Sequence, residues 1–182
     1  ILPKQISFLE TFEFRGFEFT ADIVYLAARY ITGIAAYLSG DPILAHEFHN
    51  NLQKEFGKFN PLPPHLQVIK NRIPALLSDE ELLVAQRHYF RNEEGKLKEW
   101  LDKSLNSNPN NYGGWLLKAI VEFLPTIGNN PSTALESVKK AQKYARSTHE
   151  WRYSRAFLYF WIANYSEALR DCKNLKEKSY PN

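Results

Sequence analysis

Apolar residues recur at helical spacing along most of the chain, and turn residues cut that pattern into short segments. Thr20 is placed to cap a helix that runs through Leu38 and stops at Gly40. "GDP" at 40–42 then supplies a stop, an N-cap in Asp41 and a proline at the first position of a second helix, which ends near Phe56 and Gly57. "NPLPP" at 60–64 reads as extended, and a short helix is expected within "HLQVIKNRI", ended by Pro74. "SDEE" at 78–81 has the form of a capping box, Ser78 with Glu81, that opens a helix to about Arg91. Another helix covers "GKLKEWLDKSL". After the break "NSNPNN" at 106–111, helices are expected over 112–124, 132–146, 149–163 and 166–177. Almost no room is left for a sheet.

One stretch departs from this rhythm. "FEFRGFEF" at 12–19 alternates apolar and charged residues, the period of a strand with one buried face. A hairpin about Arg15-Gly16 would pair Phe14 with Phe17 and Phe12 with Phe19, but it sets Glu13 opposite Glu18. An unpaired surface arm would expose its rings. The expected form is an extended link that docks those rings, either on the first helical hairpin or on a domain upstream of Ile1.

The segments repeat. Aligned on the residue that opens the second helix of each pair, Ala45, Leu97, Ala134 and Ala168 correspond. Gly33, Ala85 and Ala156 stand twelve residues before their partners, and Ala119 stands fifteen before its own. Small residues at these places let two helices approach closely. The units begin at 26, 78, 112 and 149, so the later starts lie 34 and 37 residues apart.

This period and pattern resemble the tetratricopeptide repeat (TPR), a helix-turn-helix unit. The fourth unit carries Ala156, Tyr159, Tyr165 and Ala168; the third carries Trp115, Ala119, Ala134 and Ala141. The second supplies Ala85 and the closing Pro109, and the first supplies Gly33, Gly40 and Ala45. Leu97 departs from the pattern, as do Gly57 and Arg146 where a closing proline belongs. The resemblance implies an all-α, right-handed solenoid of about four helical hairpins with a short extended N-terminal arm. The expected segments are an arm or link over 1–20, a first hairpin over 21–59, a proline-containing connector with a short helix over 60–77, and three repeats over 78–182.

The resemblance also implies that the first helix of each pair lines a concave, ligand-facing surface. Its positions fall on Tyr30, Ile34 and Tyr37 in the first unit, and on Leu82, Gln86 and Tyr89 in the second. They fall on Leu116, Ile120 and Phe123 in the third, and on Tyr153, Phe157 and Phe160 in the fourth. Members of the family that clamp a peptide carboxylate carry Lys, Arg and Asn there, so that mode is not expected. Three readings of so apolar a surface stand side by side: plain core, a groove for an apolar peptide or helix, or a seat for a neighbouring domain.

Composition changes this picture little. A net charge of +3 on 182 residues argues against nucleic acid as the main partner. The basic run "KKAQKYAR" at 139–146, with Arg170, Lys173, Lys176 and Lys178, reads as a solvated second-helix face, with Glu136 and Lys140 an i,i+4 pair. The one cysteine, Cys172, excludes an internal disulfide, reads as a small core residue, and fits the reducing cytoplasm. The run 23–38 is too short for a membrane span and carries Arg29. "HEFH" at 46–49 lacks the spacing of a zinc protease, and His46 and His49 read as solvated; His65 lies beyond a proline break.

No cofactor, metal site or enzymatic motif is expected. An opening Ile1 and the lack of methionine suggest a piece of a longer protein with an upstream domain. The function expected is therefore a module that binds a protein, a peptide or another domain of its own chain. The alternative is a regulatory or sensor segment of a larger signalling enzyme or ATPase. The oligomeric state is left open by the sequence.

Overall fold

The computed structural model describes residues 11–14, 17–59, 61–124, 127–145, 148–161 and 164–179. It divides into two compact units, residues 1–80 and 81–182, each taken by itself below. Both are built from helices, and the described residues are all-α apart from one small strand pair.

In the first unit, strands β1 (Thr11–Phe14) and β2 (Phe17–Thr20) pair antiparallel. The register sets Phe12 against Phe19, Glu13 against Glu18 and Phe14 against Phe17. That is the hairpin register, so the backbone is paired and the expectation of an unpaired link is corrected. Arg15 and Gly16 lie outside the described residues. Strand β2 leads directly into α1 (Ala21–Leu38), which packs along α2 (Pro42–Phe56).

The turn between these helices follows the sequence closely. Gly40 takes φ 84°, its N–H donates to the carbonyl of Tyr37, and the Asp41 N–H donates to Ala36. This crossed pair of bonds is a Schellman stop, and the positive φ explains the glycine. Asp41 then accepts a hydrogen bond from the Leu44 N–H at 3.1 Å, and Pro42 opens α2.

The short helix expected to end at Pro74 runs on through it. Helix α3 runs without interruption over Pro64–Phe90, with Pro74 inside it, and Ser78 to Glu81 lie mid-helix where a capping box was expected. Pro74 removes one intrahelical donor, at a cost of about 3 kcal/mol. The offset is tertiary. Leu66, Ile73 and Leu77, on both sides of the proline, join Ile23, Leu26, Leu52 and Phe56 in one buried cluster. Burying a Leu or Ile contributes about 1.5–3 kcal/mol each, which outweighs the local penalty. Ser78 and Glu81 are buried too, so neither faces a helix end open to water.

His49, expected in solvent, is wholly buried together with Glu80. Its Nδ1 lies 2.5 Å from Oε1 of Glu80, and its Nε2 lies 3.3 Å from the carbonyl oxygen of Tyr30. Gly33 makes room for the ring: a Cβ there would fall 2.7 Å from His49 Cε1. His46 keeps partial exposure, and the side chain of His65 lies outside the described residues.

The second unit holds the end of α3, α4 (Glu94–Ser107), α5 (Tyr112–Phe123), α6 (Pro131–Tyr144), α7 (Thr148–Trp161) and α8 (Tyr165–Ser179). Helices α5 with α6 and α7 with α8 form tight hairpins, and α7 packs on both α6 and α5. Asn111 caps α5 through the Gly114 N–H, and Asn130 caps α6 through the Thr133 N–H. Leu82 and Ala85 of α3 share a cluster with Leu97, Leu101 and Leu105 of α4 and Leu117 and Val121 of α5. A smaller cluster joins Ala119 to Ala134 and Val138, with Phe123 packed on it. All eight aligned repeat positions are buried: Gly33, Ala45, Ala85, Leu97, Ala119, Ala134, Ala156 and Ala168.

Gly33 and Gly95 give a paired test of this packing. Gly95 has open space around it, so Gly95→Ala should raise stability by up to about 1 kcal/mol through helix propensity. Gly33→Ala gains the same propensity but drives a methyl into a ring held by Glu80, and should lower stability by about 1–2 kcal/mol net. Glu80→Ala should cost about 3 kcal/mol or more, because it strips a buried imidazole of its carboxylate. Urea unfolding of the three variants measures all of these; equal effects at the two glycines would refute the packing argument.

Candidate functional site

The first-helix positions differ sharply between the units. In the first, Tyr30, Ile34 and Tyr37 are half-buried. Tyr30 packs against the core cluster and its ring centre stands 5.8 Å from that of His49. Burial, then the nearby carboxylates of Asp79 and Glu80, raise the Tyr37 hydroxyl above the ordinary phenol pKa. Tyr30 and Tyr37 thus adjoin the His49–Glu80 pair.

In the second unit Leu82 is core and Gln86 is half-buried. Tyr89 is half-buried against the α3–α4–α5 cluster and meets Phe90 edge-on at 5.5 Å. Leu116 and Phe123 are half-buried, while Ile120 is exposed. The last hairpin presents its positions openly: Tyr153 is 69% exposed, Phe157 48% and Phe160 58%. Their spacing of four and three residues sets them in one stripe along α7. The Phe160 ring meets Tyr165 of α8 edge-on at 5.7 Å, and Leu169 is exposed one turn further on.

Contiguous exposed apolar patches are uncommon on monomeric proteins. Of the twelve first-helix positions Leu82 is buried, and the other eleven are half-buried or exposed. Four of them, Ile120, Tyr153, Phe157 and Phe160, lie exposed on α5 and α7, two helices in contact.

The back of α7 is fixed by a residue the sequence pattern does not single out. Arg155 donates from Nε and Nη2 to the two carboxylate oxygens of Asp171 on α8, each at 2.7 Å, and from Nη1 to Gln142 of α6 at 3.1 Å. The hydrogen bond with Asp171 is the main cause that raises the arginine further above its usual pKa. Three helices are thereby joined by one planar fork. On the helical wheel Arg155 lies opposite Tyr153, Phe157 and Phe160, so the fork orients the stripe without touching it. An Asp on one helix and an Arg on another, sixteen residues apart, carry no local signal.

A concavity of about 520 Å³ lies among Tyr89, Phe90, Asn92, Glu94, Leu97, Leu124 and Ile127. It sits beside the α3–α4 turn. There Asn92 takes φ 56°, and its N–H and that of Glu93 donate to Tyr89 and His88 in the same crossed pattern as at Gly40. The His88 imidazole donates from Nδ1 to Oε2 of Glu93 at 2.6 Å, and Lys96 lies 3.3 Å from the same oxygen. These partners, His88 first, hold the Glu93 carboxyl below its usual range.

The basic face is engaged locally. Glu136 pairs with Lys139, not with Lys140 as expected, and Lys140 instead stands 4.3 Å over the Trp115 ring. The ring's N–H donates to the Pro109 carbonyl at 2.8 Å. Arg170 pairs with Glu167 and Lys173 is exposed. Arg146 and the side chains of Lys176 and Lys178 lie outside the described residues. Cys172 is exposed, against expectation, because α8 turns Ala168 and Asp171 inward and leaves Cys172 on its outer side. Among the described residues no group of His, Cys, Asp and Glu side chains could hold a metal ion. No helix among them is long and apolar enough to cross a membrane.

No protein-family model and no curated protein matches the chain. Among solved structures it is similar to MamA MSR-1 C2, with 16% identity over 89% of this chain and 83% of that one and a TM-score of 0.49. It is also similar to a thermophilic TPR protein of Thermus thermophilus, with 18% identity over 85% and 91% of the two chains and a TM-score of 0.43.

The charged groups generate two tests. Arg155→Lys keeps the charge but cannot form the fork, and should lower stability by about 1–3 kcal/mol in urea unfolding; an unchanged midpoint would show that the fork does not join the helices. Glu93 has a depressed pKa, so its contribution is present above the unfolded carboxylate range and lost as pH falls through the folded value. Glu93→Gln should therefore be less stable than the parent near pH 7, and the two should converge in acid as the folded-state carboxylate is protonated. A gap that persists in acid would refute the assignment.

Proposed function

We propose that the chain is a protein-binding module, and that its ligand surface is the open aromatic stripe of the second unit. The observation that carries this is the exposure of Tyr153, Phe157 and Phe160 on one side of α7, with Ile120 on the helix beside it. Such side chains supply large contact area at small entropic cost, and they are the residues that act as anchors when buried by a partner. The stripe offers no carboxylate clamp and no metal-binding group. It suits the apolar face of an amphipathic helix or an extended apolar peptide. The Arg155–Asp171–Gln142 fork supports this role by holding α7 rigid, so little ordering cost remains for binding.

The first-helix residues of the first unit take a lesser part in this reading. Tyr30, Ile34 and Tyr37 are half-buried, and two of them adjoin the buried His49–Glu80 pair. Within the second unit, Tyr89, Leu116 and Phe123 flank the open positions as half-buried supports. The module binds a protein or peptide in this reading, and its compartment is the cytoplasm.

The test is an array of synthetic amphipathic-helix peptides screened against the chain and against a Tyr153→Ser, Phe157→Ser, Phe160→Ser triple variant. Binders of the parent should lose about tenfold or more in affinity with the variant. Because the three side chains are exposed, the variant should keep its circular-dichroism spectrum and melting temperature. A folded variant that binds the same peptides equally well, or a parent that binds none, would refute the proposal.

A further inference from the structure

Helix α1 is apolar on two opposite sides. Ile23, Leu26, Gly33 and Ala36 are buried, and Tyr30 and Tyr37 are half-buried on the same side. Opposite them stand Val24, Ala28, Ile31, Ala35 and Leu38, all exposed: Val24 to 49%, Ile31 to 64% and Leu38 to 78%. Their spacing is four, three, four and three residues. That is the 3.5-residue period of a seam along which one helix packs against another. A helix apolar all round belongs inside a structure, yet this one has a whole side in water.

We propose that this seam is a homodimer interface, in which α1 of one copy packs antiparallel against α1 of a second copy. Three observations select a second copy as the occupant. The first is shape: large and small residues alternate as Val24, Ala28, Ile31, Ala35, Leu38. With a two-fold axis midway between positions 28 and 31, Ile31 of each copy meets Ala28 of the other, and Val24 meets Ala35. Every pair then sets a branched side chain against a methyl, so the two rows interdigitate and the helices approach closely.

The second observation is charge. A two-fold axis brings a surface against its own image, where any charge on the axis meets its like. From Ile23 to Leu38 the one charged residue is Arg29, and it lies off the seam with its guanidinium carbon 5.2 Å from the Tyr25 ring centre. The flanking positions Tyr25, Ala27, Thr32 and Ile34 carry no charge, and the Thr32 hydroxyl donates to the Ala28 carbonyl at 2.8 Å. Nothing there would attract an acidic or basic partner, and nothing repels a copy of the same chain.

The third is extent. Eighteen residues of α1 span about 27 Å, and a seam of that length buries on the order of 500 Å² per copy. The total of roughly 1,000 Å² is the size of a weak interface, which fits a dimer that forms with rising concentration.

The test is sedimentation velocity on the full chain over about 5–200 µM, with reductant present because Cys172 is exposed. The parent should pass from monomer to dimer with concentration. Ile31→Glu and Ala28→Lys, both at exposed positions, should each weaken self-association about tenfold or more while leaving the melting temperature unchanged. An equimolar mixture of the two variants should recover the dimer, because the register sets position 31 of one copy against position 28 of the other. If Ile31→Glu is less stable, Ala28→Lys alone with its recovery in the mixture still decides. A parent that stays monomeric overturns the proposal, whether or not it adsorbs to phosphatidylcholine vesicles. A dimer that survives both substitutions, or a mixture that stays monomeric, overturns it as well.

Discussion

Close approach of paired helices is the constraint from which the rest of this molecule follows. At Ala45, Ala119, Ala134, Ala156 and Ala168 the side chain is a methyl, and at Gly33 there is none. All are buried, so these helices close tightly where they cross, and Gly33 leaves space for the His49 ring. Where a methyl stands on both sides there is no room for an aromatic ring. The rings stand at the margins: Tyr30 beside the first cluster, Tyr89 and Trp115 beside the second, Phe123 beside the third. In the last hairpin Tyr153, Phe157 and Phe160 lie exposed along α7, with the Phe160 ring edge-on to Tyr165 of α8. The exposed stripe thus obeys the same packing rule that builds the hairpins.

Buried polar groups perform a different task from the small residues. The His49–Glu80 pair lies wholly out of water, and the Asp171 carboxylate is almost wholly buried beneath the Arg155 fork. Taking such groups from water costs several kcal/mol per ion, and good geometry returns much of it, so neither pair is a large net source of stability. Their contribution is discrimination. A helix slid by one turn leaves a buried carboxylate without its partner, a far larger penalty than a slipped contact between aliphatic side chains. His49 fixes α2 against the first part of α3 in this way, and Arg155 fixes α7 against α6 and α8. Gly33 shows how closely the two devices are joined, since the close approach it permits is made to the imidazole itself.

What the sequence disclosed depended on the range of the interaction concerned. Caps and stops are local, and Gly40, Asp41 and Asn111 stand at the helix ends their chemistry implies. Repeat spacing is periodic, and it located all eight small or buried hairpin positions. Pro74 and the Ser78–Glu81 box misled because their local meaning is overridden by burial of Leu66, Ile73 and Leu77, which only the tertiary structure reveals. His49 misled for the same reason: its partner is thirty-one residues away and lies on another element. Glu13 opposite Glu18 argues in the sequence against paired strands; the register found accepts that pairing. Cys172 failed on orientation, since one position of phase along α8 separates core from surface.

The proposed surfaces differ in chemistry in a way that suits them to different occupants. The α1 seam is aliphatic, notched by alanines and uncharged, so that it admits another helix. The α7 stripe is aromatic and raised, and rings of that kind fill hollows in a different surface better than they fill one another. Self-association through the first would present the second twice in one particle. A partner with two apolar segments would then bind its second site at an effective concentration set by its own linker, and avidity would rise without any new contact. Each unit of the chain would in that case contribute one half of a single device, the first setting the number of binding surfaces and the second setting what they hold.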